Sequence, residues 1–212
     1  MSKQTTLARY WGADFEVGTR KIEITSKKYN SNEYIELLHE RRAFSSYLFK
    51  ANKVSDEYYT RAISWQRFVD DKGLNGATVW EPFYADGSST ESLKGLVNVV
   101  GLRGSDFWDI VDDPAYKDLL IMSNPPFSFK WQVIMTLLER RRTFALILPW
   151  ECFYGKIPKG KTERDKSNLE VYQERWGGTY EMFKLKGDEM DFYHPAIDGM
   201  KRIGCHILYW SF

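Results

Sequence analysis

From residue 77 onward, short apolar runs alternate with amphipathic ones, and that alternation sets the expected fold. Residues 77–83 (ATVWEPF) predict a short strand that ends in the loop Tyr84-Ala85-Asp86-Gly87. A short helix is expected over 90–96, and a second strand over 97–102 (VNVVGL). Residues 118–123 (DLLIMS) predict a further strand, stopped at once by Asn124-Pro125-Pro126-Phe127, because two prolines cannot continue a ladder. Trp131, Ile134, Leu137 and Leu138 recur at helical spacing and predict a helix over 130–142. Residues 143–149 (TFALILP) are apolar almost throughout, the texture of a strand buried on both faces. Strands alternating with helices predict an α/β fold with a parallel sheet covered on both sides. Residues 180–186 and 205–210 (CHILYW) have no clear helix between them, which suggests an antiparallel hairpin at one sheet edge.

The first half is organised differently. Lys21-Ile22-Glu23-Ile24-Thr25 alternates briefly, as an edge strand would. Tyr34, Leu37, Leu38, Phe44 and Leu48 then recur at spacings near three and four, and a second helix is expected over 56–69. The expected organisation is an N-terminal tail over 1–30 and one domain over 31–212 that includes N-terminal helices. Residues 156–168 are rich in Lys, Gly and Pro and predict an exposed loop, with phosphate contacts as one use for its charge. Arg140-Arg141-Arg142 closes the expected helix with charge that favours its C-terminus.

Composition narrows the function class. Hydrophobic residues at 43% and aromatics at 16% supply a substantial core, so the chain is not an intrinsically disordered one. Thirty basic residues against 29 acidic ones give a net charge of +1, which excludes a protein that grips nucleic acid by bulk charge but leaves room for a local basic face. No apolar run approaches the roughly 18 residues that span a bilayer, so no membrane partner is expected. The polar start Met-Ser-Lys-Gln-Thr-Thr is not a secretory signal, and an intracellular location is expected. Two cysteines, without a Cys-x-x-Cys pair, and three scattered histidines predict no metal site.

The candidate chemistry lies at strand ends, since ligands of open parallel sheets bind outside the carboxyl ends of the strands. Asn-Pro-Pro after a buried strand fixes two φ angles and removes two donors. The Asn124 side-chain oxygen and the Pro125 carbonyl then become rigid acceptors with the Phe127 ring beside them. A planar base bearing an exocyclic amino group suits that arrangement: two acceptors for two protons, and a ring for stacking.

These residues resemble the catalytic motif of S-adenosylmethionine-dependent amino-methyltransferases, above all the N6-adenine enzymes. The resemblance covers about residues 55–212 and rests on four segments in order. Asn124-Pro125-Pro126-Phe127 is similar to the catalytic motif. Glu81-Pro82-Phe83-Tyr84-Ala85-Asp86-Gly87 is similar to the cofactor loop, with Ala85 where a glycine is usual. Asp106-Phe107-Trp108 is similar to the acidic-aromatic pair that holds the cofactor's adenine. Tyr59-Thr60 is similar to a segment that closes over its methionine end, with Arg61 where a proline is usual. Leu102 and Arg103 stand where an acidic residue ordinarily holds the ribose.

The resemblance implies a class I methyltransferase fold, Rossmann-like, with a mostly parallel seven-stranded sheet, an antiparallel edge hairpin and an N-terminal helical extension. It implies S-adenosyl-L-methionine as cofactor, bound by Tyr59, Thr60, Glu81, Phe83, Ala85, Asp86, Gly87, Asp106 and Phe107. It further implies adenine-containing nucleic acid as substrate, with DNA favoured over RNA. Methyl transfer then needs positioning and charge complementarity more than a strong base. A paired base must first leave its stack, so single strands or flipped bases are the expected substrates. Two alternatives stay open: an inactive methyltransferase-like subunit that binds or tethers a partner, and transfer to RNA or to a protein glutamine amide. Little chain is left for target recognition, which suggests short specificity or a partner subunit. Finally, Gln4, Leu7, Tyr10 and Trp11 resemble the peptide that plugs into the replication sliding clamp, a polar contact plus a three-pronged apolar anchor. That resemblance implies a clamp partner and, in a eukaryote, the nucleus.

Overall fold

The computed structural model describes residues 59–83, 88–101, 107–154, 166–194 and 199–212. Their strands are β1 (Thr78–Trp80), β2 (Asn98–Val100), β3 (Leu120–Ser123), β4 (Phe144–Pro149), β5 (Thr179–Lys184), β6 (Asp191–His194), β7 (Gly199–Arg202) and β8 (Cys205–Ser211). Six of them form one sheet in the order β2-β1-β3-β4-β8-β5, and β6 pairs with β7 apart from it. The β1–β2, β1–β3 and β3–β4 pairs are parallel, whereas β8 runs antiparallel to both β4 and β5. One reversed strand in an otherwise parallel mixed sheet agrees with a Rossmann-like layout. The expected seventh strand is not among the described residues.

The helices are α1 (Ala62–Asp71), α2 (Ser88–Glu91), α3 (Phe107–Ile110), α4 (Lys130–Glu139) and α5 (Asn168–Trp176). Strand alternation divides the core into two layers. Phe144, Leu146 and Leu148 of β4, with Leu208 and Trp210 of β8, pack on one face with Ile134, Leu137 and Leu138 of α4. Ala145, Ile147 and Ile207 face the other way, toward Trp65, Phe68 and Val69 of α1. Every residue of β4 is buried, which explains its unbroken apolar run.

Several boundaries differ from the expected ones, each for a local reason. The helix expected over 56–69 has α1 as its described part, because Tyr59 is held extended: it donates to the Tyr193 carbonyl at 2.9 Å and accepts from the Tyr193 amide at 3.1 Å. The helix expected over 90–96 is reduced to α2, since Gly95 at φ 81° cannot continue a helix. The helix expected over 130–142 ends at Glu139, where Arg141 turns left-handed (φ 49°) and the Arg142 amide reaches back to the Leu137 carbonyl at 2.9 Å. Residues 205–211 and 179–184 do pair antiparallel, but β6, β7 and a 3-10 turn (Gly187–Met190) intervene between them.

The three arginines part company. Arg140 pairs with Asp112, with Nε 2.5 Å from one carboxylate oxygen, whereas Arg142 is buried and donates to the carbonyls of Val111 (3.1 Å) and Tyr116. Arg142 is thus a tie across the core, not surface charge at a helix end. Gly178 shows a tighter constraint. A Cβ there would lie 2.5 Å from Trp210 Nε1 and 2.7 Å from the Ser211 carbonyl oxygen, at φ +78°, whereas Gly177 at φ +75° has nothing within 4 Å. At ψ −159° Gly177 is in a region essentially reserved for glycine, so Gly177→Ala is expected to cost about 1–3 kcal/mol and Gly178→Ala more, its contacts adding to the strain, read as urea-unfolding midpoints.

Candidate active site

Parallel pairing brings the carboxyl ends of β1, β2, β3 and β4 to one edge of the sheet. Trp80 stands opposite Ile121 and Val100, and the ladder continues one residue further as the Glu81 amide donates to the Val100 carbonyl at 2.9 Å. Beyond that point the backbones separate, and side chains join them. Glu81 Oε1 accepts from the Ser123 hydroxyl at 2.6 Å and from the Phe83 amide at 2.9 Å. Glu81 is 2% exposed and Ser123 fully buried. Burial pushes the Glu81 carboxyl up to about 8, against the opposing pull of Ser123 and Phe83, so it is a neutral acid at pH 7.

Immediately after Ser123 comes the proline elbow. Pro125 is buried and Asn124 and Phe127 are half-buried, at the level where β3 leaves the sheet. Pro126 is extended (φ −53°, ψ 122°), and its carbonyl accepts from the Phe129 amide at 2.9 Å to open the 3-10 turn Phe127–Phe129. That turn runs straight into α4. Lys130 at the head of α4 reaches back to donate to the Phe127 carbonyl at 3.0 Å, so an ammonium group sits beside the elbow.

On the β1 side the half-buried Phe83 stacks on Phe107 with centroids 5.0 Å apart, and Phe107 stacks in turn on Trp80 at 6.4 Å. Phe107 is 1% exposed, while Phe83 and Trp108 stay half-buried, so a ligand arriving here meets Phe83 and Trp108 before Phe107. Tyr59 belongs to the hairpin side instead: beyond its bridge to β6, its ring lies 6.3 Å from that of Tyr193. The Thr60 hydroxyl oxygen is buried and has no hydrogen-bond partner among the described residues.

The structure thus joins Glu81 to the start of the elbow through Ser123 and stacks Phe83 on Phe107, whereas Phe127 packs with the opposite core layer and Tyr59 is tied to β6. Ala85, Asp86, Gly87 and Asp106 lie outside the described residues, as do Gln4, Leu7, Tyr10 and Trp11 of the clamp-type segment. Sequence reasoning missed Ser123: its place just before the proline elbow is visible in the chain, but its pairing with Glu81 is not.

Other reactive groups are quiet. Burial pushes the Cys152 thiol up to about 12 and Cys205 higher still, so neither is a nucleophile. Burial lowers His206, and its Nδ1 accepts from the Leu185 amide at 3.3 Å. Among the described residues no cluster of His, Cys, Asp or Glu has metal-binding form, and no helix is long and apolar enough to cross a membrane.

No family model and no curated protein matches the chain. Among solved structures it is similar to a Vibrio vulnificus YJ016 protein assigned as a type I restriction enzyme modification subunit, at 11% identity and a TM-score of 0.40, over 87% of this chain and 51% of that one. It is also similar to a SAM-dependent methyltransferase from Aquifex aeolicus, at 13% identity and a TM-score of 0.34, over 86% of this chain and 98% of that one. The chain therefore spans about half the length of the Vibrio subunit.

Proposed function

We propose that the chain is an S-adenosylmethionine-dependent methyltransferase acting on the N6 amino group of adenine in nucleic acid, DNA before RNA. One observation carries the reading: Asn124-Pro125-Pro126-Phe127 leaves β3 directly beside the Glu81-Pro82 end of β1, with Ser123 and Glu81 hydrogen-bonded between them at 2.6 Å. Two loops that resemble the base-binding and cofactor-binding segments of one family meet at one sheet edge.

The bound cofactor supplies the methyl group. Asn124 and the Pro125 carbonyl accept the two amino protons of adenine, which favours a pyramidal nitrogen with its lone pair free, and Phe127 stacks on the ring. The half-buried rings of Phe83 and Trp108, near the buried Phe107, suit the flat adenosine end of the cofactor, and Asp106 precedes Phe107 in the segment that resembles the family's acidic-aromatic pair. Thr60, next to Tyr59, carries a buried hydroxyl of the kind a polar ligand completes. Ala85, Asp86 and Gly87 belong to the segment that resembles the family's cofactor loop. Gln4, Leu7, Tyr10 and Trp11 would tether this activity to a sliding clamp, and a partner subunit would extend its recognition of sequence.

Calorimetry with S-adenosylmethionine, followed by tritium-methyl transfer to adenine-containing single-stranded DNA, RNA and protein, tests the reading. Binding together with label recovered as N6-methyladenine is the expected result. Silence at millimolar cofactor overturns it in favour of an inactive subunit that keeps the fold, a reading favoured by the engagement of Glu81 with Ser123 and Phe83 inside the protein.

A further inference from the structure

We infer that Glu81 is a positioning residue, a neutral strut that holds the cofactor-side loop and the adenine-side elbow in one geometry, and not a ligand of cofactor or base. The inference rests on the functional reading above for what the two loops hold. A single oxygen, Oε1, takes both hydrogen bonds, 2.6 Å from the Ser123 hydroxyl and 2.9 Å from the Phe83 amide. One carboxyl oxygen has lone pairs for two donors, so both connections are made at a single atom. Ser123 is covalently next to Asn124, and Phe83 follows the Glu81-Pro82 end of β1, so one carboxyl group holds the two chain segments together where they leave the sheet.

The surroundings agree with a strut and not with a ligand. Glu81 is 2% exposed. Its ionisation is governed by burial, by Ser123 and by Phe83, with no charged side chain among the described residues contributing. A carboxylate meant to hold a cationic ligand must be ionised and must reach it. This one is buried beneath the strand ends and pushed up to about 8 by that burial. Strand pairing cannot do the same work, because the β1–β3 register ends at Trp80 and Ile121. The position of Asn124 relative to the Phe83 loop then depends on this side-chain connection.

Three variants test it: Ser123→Ala, Glu81→Gln and Glu81→Ala. The readouts are methyl transfer, cofactor Kd by calorimetry, hydrogen exchange of the Phe83 amide, and carbon-detected titration of the Glu81 carboxyl. Ser123→Ala is expected to lower kcat by about 10- to 100-fold, since a displacement near 1 Å costs that much, with the cofactor Kd within about threefold. Glu81→Gln keeps the acceptor oxygen. It should preserve the slow exchange of the Phe83 amide and recover most of the transfer that Glu81→Ala loses. Ser123→Ala should add nothing in the Glu81→Ala background, because both remove one connection.

Additive losses overturn the strut, and so does a Glu81→Gln protein that loses cofactor binding while Phe83 stays protected. Where Glu81→Ala fails to fold, Ser123→Ala and Glu81→Gln decide the matter. A wild-type protein that transfers no methyl refutes the functional reading alone. The strut is then decided by the carboxyl titration, expected near 8 and higher still in Ser123→Ala; a wild-type value near 4.5 overturns it.

Discussion

Asn124→Ala is expected to lower methyl transfer to adenine by about 100-fold or more, while cofactor affinity stays close to wild type. The magnitude follows from the work asked of the side chain. A preorganised hydrogen-bonding group aimed at the charge that develops in a transition state contributes about 3–4 kcal/mol in a dry site. Asn124 is half-buried at the point where β3 ends, between the buried Ser123 and Pro125 in sequence. Truncation leaves the proline elbow, the Phe127–Phe129 turn and α4 in place. Asn124→Asp sharpens the test. It keeps an acceptor oxygen and adds negative charge beside a nitrogen that becomes positive, so it should retain more activity than alanine. Single-turnover transfer with saturating cofactor measures both. An alanine variant within threefold of wild type would remove Asn124 from the reaction and the base-binding reading with it.

The sequence made some elements legible because their signal is local. Phe144-Ala145-Leu146-Ile147-Leu148 reads as a doubly covered strand, and β4 lies in the middle of the sheet with every residue buried. The proline pair likewise announces where β3 stops. The α5 helix was overlooked although its signals are present: Ser167 and Glu170 form a capping box, and Leu169, Tyr172 and Trp176 are spaced along one face. The β6–β7 hairpin hid behind its short strands of four residues each.

Partners distant along the chain were not legible at all. The Ser123–Glu81 hydrogen bond spans 42 residues, and Arg142 reaches a carbonyl 31 residues away. Periodicity reports which residues are covered and is silent about what covers them. The same limit explains Phe107, which the family resemblance offers as a ligand contact and the fold uses first as a core ring between Phe83 and Trp80.

The wild-type protein should lose stability as pH rises from about 4.5 to about 8, and Glu81→Gln should remove that loss. In the unfolded chain the Glu81 carboxyl has its ordinary value of 4.5, whereas in the folded protein burial holds it at about 8. Between those values the folded state binds one more proton than the unfolded state, so stability declines with pH. The favourable contribution is complete below pH 4.5 and gone once the folded group ionises, above about 8. Each pH unit in that window is worth about 1.4 kcal/mol, so the full swing is on the order of a few kcal/mol, a large share of a domain's stability. Glutamine has no proton to lose but offers the same acceptor to Ser123 and Phe83. Groups such as Glu189, held below its usual range by Arg67, are common to both proteins and cancel in the comparison. Urea midpoints at pH 5, 6, 7, 8 and 9 give the difference directly. The variant should gain on wild type steadily with pH and exceed it at pH 9, where wild type carries a buried, uncompensated carboxylate. Parallel curves would mean that Glu81 is already ionised in the folded protein. That outcome would overturn the neutral strut, as a carboxyl titrating near 4.5 would.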